Sequence, residues 1–153
     1  MKIIKTILIL VIVSFIIVAG FNYYENNIKN NVNGGSSLPD TKILGNKNDL
    51  VSFSINPGDS VSGNINIVGS VKNGYFFEGN ILINVLDYNK KIILNGNGNA
   101  ITDWATTERV GFNTAIDFTY LPKGPAYIEI RNDNPGYPKE GINKSILIPV
   151  IIK

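Results

Sequence analysis

The chain has no cysteine and no histidine among its 153 residues. Without a thiol there is no disulfide framework, no thiolate zinc site, no cysteine nucleophile and no attachment point for a lipid. Without an imidazole, the usual general base and the commonest metal ligand are missing. A serine nucleophile would need Lys or a carboxylate as its base, and no serine of the C-terminal domain sits in a Gly-x-Ser-x-Gly elbow. No glycine-rich phosphate loop opens a helix, so nucleotide binding is not expected. These absences predict a protein that is not an enzyme and holds no cofactor.

Charge is also scarce, at 17% of residues against the usual quarter. All 12 acidic residues lie from Glu25 onward, and only Lys2 and Lys5 of the 14 basic residues precede them. The rest of the chain is therefore formally neutral, and the net +2 belongs to the N-terminal tip. Nucleic-acid binding needs a basic face that neutralises phosphates, and none is present. Lys90-Lys91, the adjacent basic pair beyond the tip, falls in a turn and reads as solvated. The abundant Ile, Asn and Lys fit an AT-rich coding bias as well as any function.

What the chain does have begins with an apolar run. Ile7 to Val18 is interrupted only by Ser14 and continues to Phe21. Counted from Ile3, with Lys5 snorkelling, a helix at about 1.5 Å per residue just crosses a hydrocarbon core of roughly 30 Å. Lys2 and Lys5 before such a run mark a signal anchor or a cleaved signal peptide, and Val18-Ala19-Gly20 offers small residues for cleavage. The unbroken run favours an uncleaved transmembrane helix over residues 1–21. The positive-inside rule then places the C-terminal part outside the cytoplasm.

Residues 22–49 are Asn-rich and carry Gly34-Gly35-Ser36-Ser37 and Pro39. They read as a flexible linker, with Tyr23-Tyr24 placed for a membrane interface.

From residue 50 the hydrophobic period becomes two. Ile81, Ile83 and Val85 share one face, as do Ile116, Phe118 and Tyr120, then Ile128 and Ile130, then Ile146, Ile148, Val150 and Ile152. Such alternation marks half-buried strands. Further strands fit Leu50–Ile55, Ile65–Val71, Lys91–Asn95 and Arg109–Phe112. Turn signals separate them at Asn56-Pro57-Gly58-Asp59, Asn73-Gly74, Asp87 to Lys90, Gly96-Asn97-Gly98-Asn99 and Pro122-Lys123-Gly124-Pro125. Residues 50–153 are therefore expected to form an all-β antiparallel sandwich of about seven strands, with Ile83, Ile116, Phe118, Ile128, Ile130 and Ile148 buried. Pro149 lacks an amide donor, so its strand should lie at an edge or carry a bulge.

Four pieces in order resemble the immunoglobulin-like domain of bacterial spore germination. They are Asn56-Pro57-Gly58-Asp59-Ser60-Val61-Ser62-Gly63; a Gly69-centred strand running through Asn73-Gly74 to Tyr75-Phe76-Phe77-Glu78-Gly79; Asp103-Trp104 with Thr106-Thr107-Glu108; and Asn132-Asp133-Asn134-Pro135-Gly136 followed by Ile146-Leu147-Ile148-Pro149-Val150. Ser70-Val71-Lys72 and Tyr75 depart from the pattern. The resemblance implies an immunoglobulin-like, non-catalytic binding or scaffolding module of the cell envelope. It does not imply that the source forms spores.

Four carboxylates are candidates for paired acid–base work: Glu78, Asp87, Asp103 and Glu108. Asp87 and Asp103 read as turn caps, and Glu78, after three aromatics, as a partly buried acceptor for loop amides. Asn132-Asp133-Asn134 lacks the glycine and distal Glu of a calcium loop and reads as a turn, so no metal is expected. Trp104 is expected in the core. Any ligand, an envelope protein or alternatively a cell-wall glycan, is expected at loops near Tyr75, Phe76, Asp133, Asn134 and Tyr137.

Overall fold

The computed structural model describes residues 41–133 and 143–153. The expected membrane segment and most of the linker lie outside them. Among the described residues no helix is long and apolar enough to cross a membrane.

The described chain is mostly antiparallel β. Its strands are β1 (Leu44–Gly45), β2 (Leu50–Phe53), β3 (Ser60–Val61), β4 (Asn64–Lys72), β5 (Asn80–Asp87), β6 (Ile92–Leu94), β7 (Asn97–Ala100), β8 (Arg109–Asp117), β9 (Gly124–Arg131) and β10 (Ser145–Ile152). The hydrogen-bonded order is β1-β10-β9-β5-β7-β8-β4-β2, with β3 added to β10 and β6 added to β5. The sheet curls so that β4 and β8 contribute to the same core as β5, β9 and β10. Ile83, Ile116, Phe118, Ile128, Ile130 and Ile148 are all buried, as the alternation predicts.

The Asn56–Asp59 turn changes the partner of the leading chain. Asp59 accepts a hydrogen bond from the Asn56 amide at 2.8 Å, and Gly58 adopts a φ of +90° that favours glycine. Before the turn β2 pairs antiparallel with β4; after it β3 pairs parallel with β10. The same turn resolves Pro149. β10 is not an outer strand, since β9 flanks it along its whole length. On its other side β1 reaches Leu147 and Ile146, and β3 begins only at Ile151. The Pro149 carbonyl accepts from the Gly58 amide across this gap at 2.7 Å. The nitrogen of an extended residue points the same way as its carbonyl, so the missing donor faces the gap and costs β9 no ladder bond.

Several sequence expectations need correcting. Arg109–Phe112 and Ile116–Tyr120 are not two strands; β8 runs unbroken to Asp117. Tyr120 lies past its end and is 91% exposed. There the Thr119 side chain and amide hold the Asp117 carboxyl below the usual carboxylate range and turn the chain. Gly96-Asn97-Gly98-Asn99 is not a turn, since Asn97–Ala100 forms β7 between β5 and β8. Residues 44–49, assigned to the linker from sequence, form β1 and a short 3-10 turn at Lys47–Asp49. Asn46 fixes this segment to β10, giving its amide to the Ser145 carbonyl and taking the Ser145 amide on its side-chain oxygen.

Candidate functional site

The loop cluster expected to meet a ligand is brought together in part. The Asp133 amide donates to the Tyr75 carbonyl at 3.0 Å, so the two segments are neighbours. Asn134 and Tyr137 lie outside the described residues. Tyr75 itself offers no surface: it is fully buried, and its hydroxyl donates to Asp49 Oδ2 at 3.2 Å. Lys144 Nζ stands 5.3 Å from the ring centroid. Phe76 is half-buried against the core, and Phe77 is exposed. Tyr75 therefore plugs this end of the core, and Asp49, from the segment read as linker, closes over it.

Burial first, and then the charge and hydrogen bond of Asp49, push the Tyr75 hydroxyl above its ordinary 10.0. In the unfolded chain this phenol ionises near its ordinary value, while in the fold it stays neutral. Its contribution to stability is complete below about pH 10 and is lost as pH rises above that. Replacing Tyr75 with Phe should cost about 1 kcal/mol at pH 8 through the lost hydrogen bond. It should also flatten the fall in stability between pH 9 and 11. Urea unfolding across that range tests this, and parallel slopes for the two proteins would count against it.

The carboxylates considered for catalysis are individually occupied or exposed. Asp87 Oδ1 accepts from the Lys91 amide at 2.9 Å and Asp103 Oδ1 from the Ala105 amide at 3.0 Å, the turn-capping roles expected of them. Glu78 departs from expectation. It is exposed, and with Gly79 it forms the two central residues of a tight hairpin turn in which Phe77 and Asn80 exchange both backbone hydrogen bonds. Both central residues have positive φ, +49° and +80°, the backbone of a type I′ turn. Trp104 also departs: it is 42% exposed, with its ring beside the Cα of Gly79 rather than in the core. Asn132 is structural, accepting the Lys144 amide on its side-chain oxygen at 2.8 Å.

The buried carboxylate is one the alternation disguised as an outward polar residue. Glu129 of β9 accepts from Asn84 Nδ2 of β5 at 2.9 Å and from Ser145 Oγ of β10 at 2.8 Å. Asn84 Oδ1 takes the Gly96 amide at 3.3 Å, which ties in the lead to β7. This constellation is a bolt across three adjacent strands, and its polar atoms are satisfied from within the fold.

A different pattern occupies the outer face of β4, β7 and β8. Asn99, Asn113 and Val68 stand in one cross-strand row, and Ala115 faces Asn66 in the next. With Asn97 they surround a depression of about 520 Å³. Thr114 reaches its rim, but its hydroxyl is spent on the Asn97 carbonyl at 2.8 Å. The side-chain amides of Asn66, Asn97, Asn99 and Asn113 are exposed and make no hydrogen bond among the described residues. Ile101 lies over Gly111, two residues along β8 from Asn113, and gives this face an apolar end. Val68 and Ile101 are 51% and 54% exposed. Sequence reasoning missed this face, because it read Asn97 and Asn99 as turn residues and did not single out Asn66 within the Ile65–Val71 strand. The available signal was Asn recurring at outward strand positions, where it is a poor strand former. The chain matches no family model, and no curated protein or solved structure proves similar to it.

Proposed function

We propose that this chain is a non-catalytic binding module of the bacterial cell envelope, an immunoglobulin-like sandwich tethered outside the cytoplasm by its N-terminal apolar segment. The observation that carries the binding role is the outer face of β4, β7 and β8. Four unspent amides surround a depression there, whereas Asp59, Asn84, Asp87, Asp103, Glu129 and Asn132 are spent on turns and strand bolts.

The immunoglobulin-like reading is supported by the pairing. The orders β2-β4-β8-β7 and β6-β5-β9-β10 are those expected of its two sheets, which β5–β7 pairing here joins into one curled sheet. A leading segment that pairs first with β4 and then in parallel with β10 bridges both. The kinship to the spore-germination domain rests on the four motif pieces. The tether and the address rest on Lys2, Lys5 and the apolar run that follows them.

The experiment has two parts. A periplasmic-type alkaline phosphatase fused after Lys153 should be active in intact cells, and a fusion that is expressed but inactive, because its disulfides cannot form in the cytoplasm, refutes the address. The purified full chain should be retained by an isolated cell-envelope fraction and released by competing soluble chain. Failure of that retention refutes the binding role.

A further inference from the structure

We infer that the depression on the outer face of β4, β7 and β8 is a subsite for a neutral glycan. The inference rests on the binding role proposed above and names the chemical class of its ligand.

Three features of the face select that class. Its lining carries no charged side chain. Anionic polymers are held by Lys and Arg clusters, so phosphate-rich or carboxylate-rich ligands have nothing to pair with here. Its backbone is largely taken up, because β8 pairs with β4 along nine residues and with β7 at Phe112 and Asn113. An extended peptide binds by adding a strand to a long free edge, and the stretch of β8 that β7 leaves uncovered, from Thr114 to Asp117, is short. What remains is side-chain amide and aliphatic surface. Each carboxamide presents two donors and an acceptor with two lone pairs, which matches a hydroxyl that must both give and receive. Val68 and Ile101 supply the complementary apolar patches, which suit the C–H face of a pyranose ring. A protein ligand of ordinary affinity would instead be expected to meet a large aromatic or Arg anchor on this face, and none of the lining residues is aromatic or charged.

Spacing agrees with this choice. Same-face residues lie about 6.6–6.8 Å apart along a strand and about 4.7–4.9 Å apart across neighbouring strands. Asn113 and Asn99 are cross-strand neighbours, and Asn66 lies on the next row of β4. The amides are thus set at intervals comparable to successive sugar units, so that an oligosaccharide lying over Val68 meets one amide after another.

The test uses the full chain in a polyoxyethylene detergent, which carries no sugar headgroup. Cellohexaose and chitohexaose are titrated in by calorimetry, the second differing from the first by its N-acetyl groups. Saturable binding of at least one hexasaccharide is expected, and the stronger of the two states whether acetamido groups are read. Polyglutamate should not compete. The Asn99→Ala/Asn113→Ala variant should bind at least about tenfold more weakly, as the loss of two ligand hydrogen bonds implies. Its melting temperature should be unchanged, because both side chains are exposed and unbonded. If that variant melts early, Asn66→Ala/Asn97→Ala replaces it. Asn89→Ala, in the exposed turn before β6, should bind as the parent does. Absence of binding for both hexasaccharides overturns the inference, and so does equal binding by the folded groove variants. Envelope retention without hexasaccharide binding overturns the ligand class while leaving the binding role intact. Loss of both sinks the two together.

Discussion

Truncating Phe112 to Ala is expected to lower the unfolding free energy by about 3–5 kcal/mol. For a domain of this size that is a large share of the ordinary 5–15 kcal/mol. Phe112 is fully buried, and its ring lies 6.4 Å from that of Phe53 at an interplanar angle of 40°. Both rings reach over Gly69, the residue opposite Phe112 on β4. A Cβ at position 69 would stand 2.6 Å from Cζ and 2.8 Å from Cε1 of Phe112, and 3.0 Å from Cδ2 of Phe53. Gly69→Ala alone should therefore cost about 1–3 kcal/mol, since the ring must leave its place in a packed core. The two changes should not add. With Phe112 already truncated the two closest clashes are gone and only Phe53 Cδ2 at 3.0 Å remains, so Gly69→Ala should cost clearly less than in the parent. Urea denaturation of the two single variants and the double variant measures this coupling. Additive losses would mean that Gly69 is required for some reason other than the ring above it.

The same strands explain how much of the fold was legible. Segments with uninterrupted alternation, such as Ile81 to Val85 and Ile146 to Ile152, declared both their conformation and their buried face. β8 was split because Thr114 occupies an inward position between Phe112 and Ile116, where an apolar residue would have kept the period. Its hydroxyl is accommodated by the Asn97 carbonyl of β7, a partner that becomes visible only once the strands are paired. β7 was read as a turn because Gly and Asn favour turns locally. In the fold Gly98 is needed for closeness: a Cβ there would lie 3.0 Å from the Asn113 carbonyl oxygen and 3.2 Å from Ile81. Tertiary pairing overrides local propensity at this strand. β1 and β3, two residues each, carry too little sequence to show a period and exist through their pairing with β10.

The candidate site was less legible than the fold, for a related reason. Aromatic residues next to loops suggested a contact surface at Tyr75 and Phe76, but exposure follows from which loop covers which, and Asp49 covers Tyr75. The amides around the depression come from three strands and share a face only after β7 is inserted between β5 and β8. A property of assembled rows is not written in any one segment.

Replacing Glu129 with Ala should cost about 2–3 kcal/mol, whereas replacing it with Gln should cost about 1 kcal/mol. Glu129 is only 9% exposed, although it alternates with inward Ile128 and Ile130 as an outward residue would. Its two oxygens each hold a different neighbour, Oε2 taking the Asn84 amide and Oε1 the Ser145 hydroxyl. Removing the carboxylate leaves the buried Asn84 Nδ2 without its acceptor, and an unmet buried donor costs more than a hydrogen bond contributes. The half-buried Ser145 hydroxyl can turn to solvent, so the second loss is smaller. Gln keeps one acceptor, and oriented toward Asn84 it preserves the more buried of the two bonds. A change confined to outward polarity would stay within about 0.5 kcal/mol for both substitutions. Hydrogen exchange adds a spatial readout. The bolt joins β5, β9 and β10 and holds the Gly96 amide through Asn84 Oδ1. Faster exchange should therefore appear first at Gly96 and along β9 in the Ala variant, while β4 keeps its protection. Uniform acceleration across all strands would show that Glu129 contributes to global stability alone, without the local three-strand fastening its contacts describe.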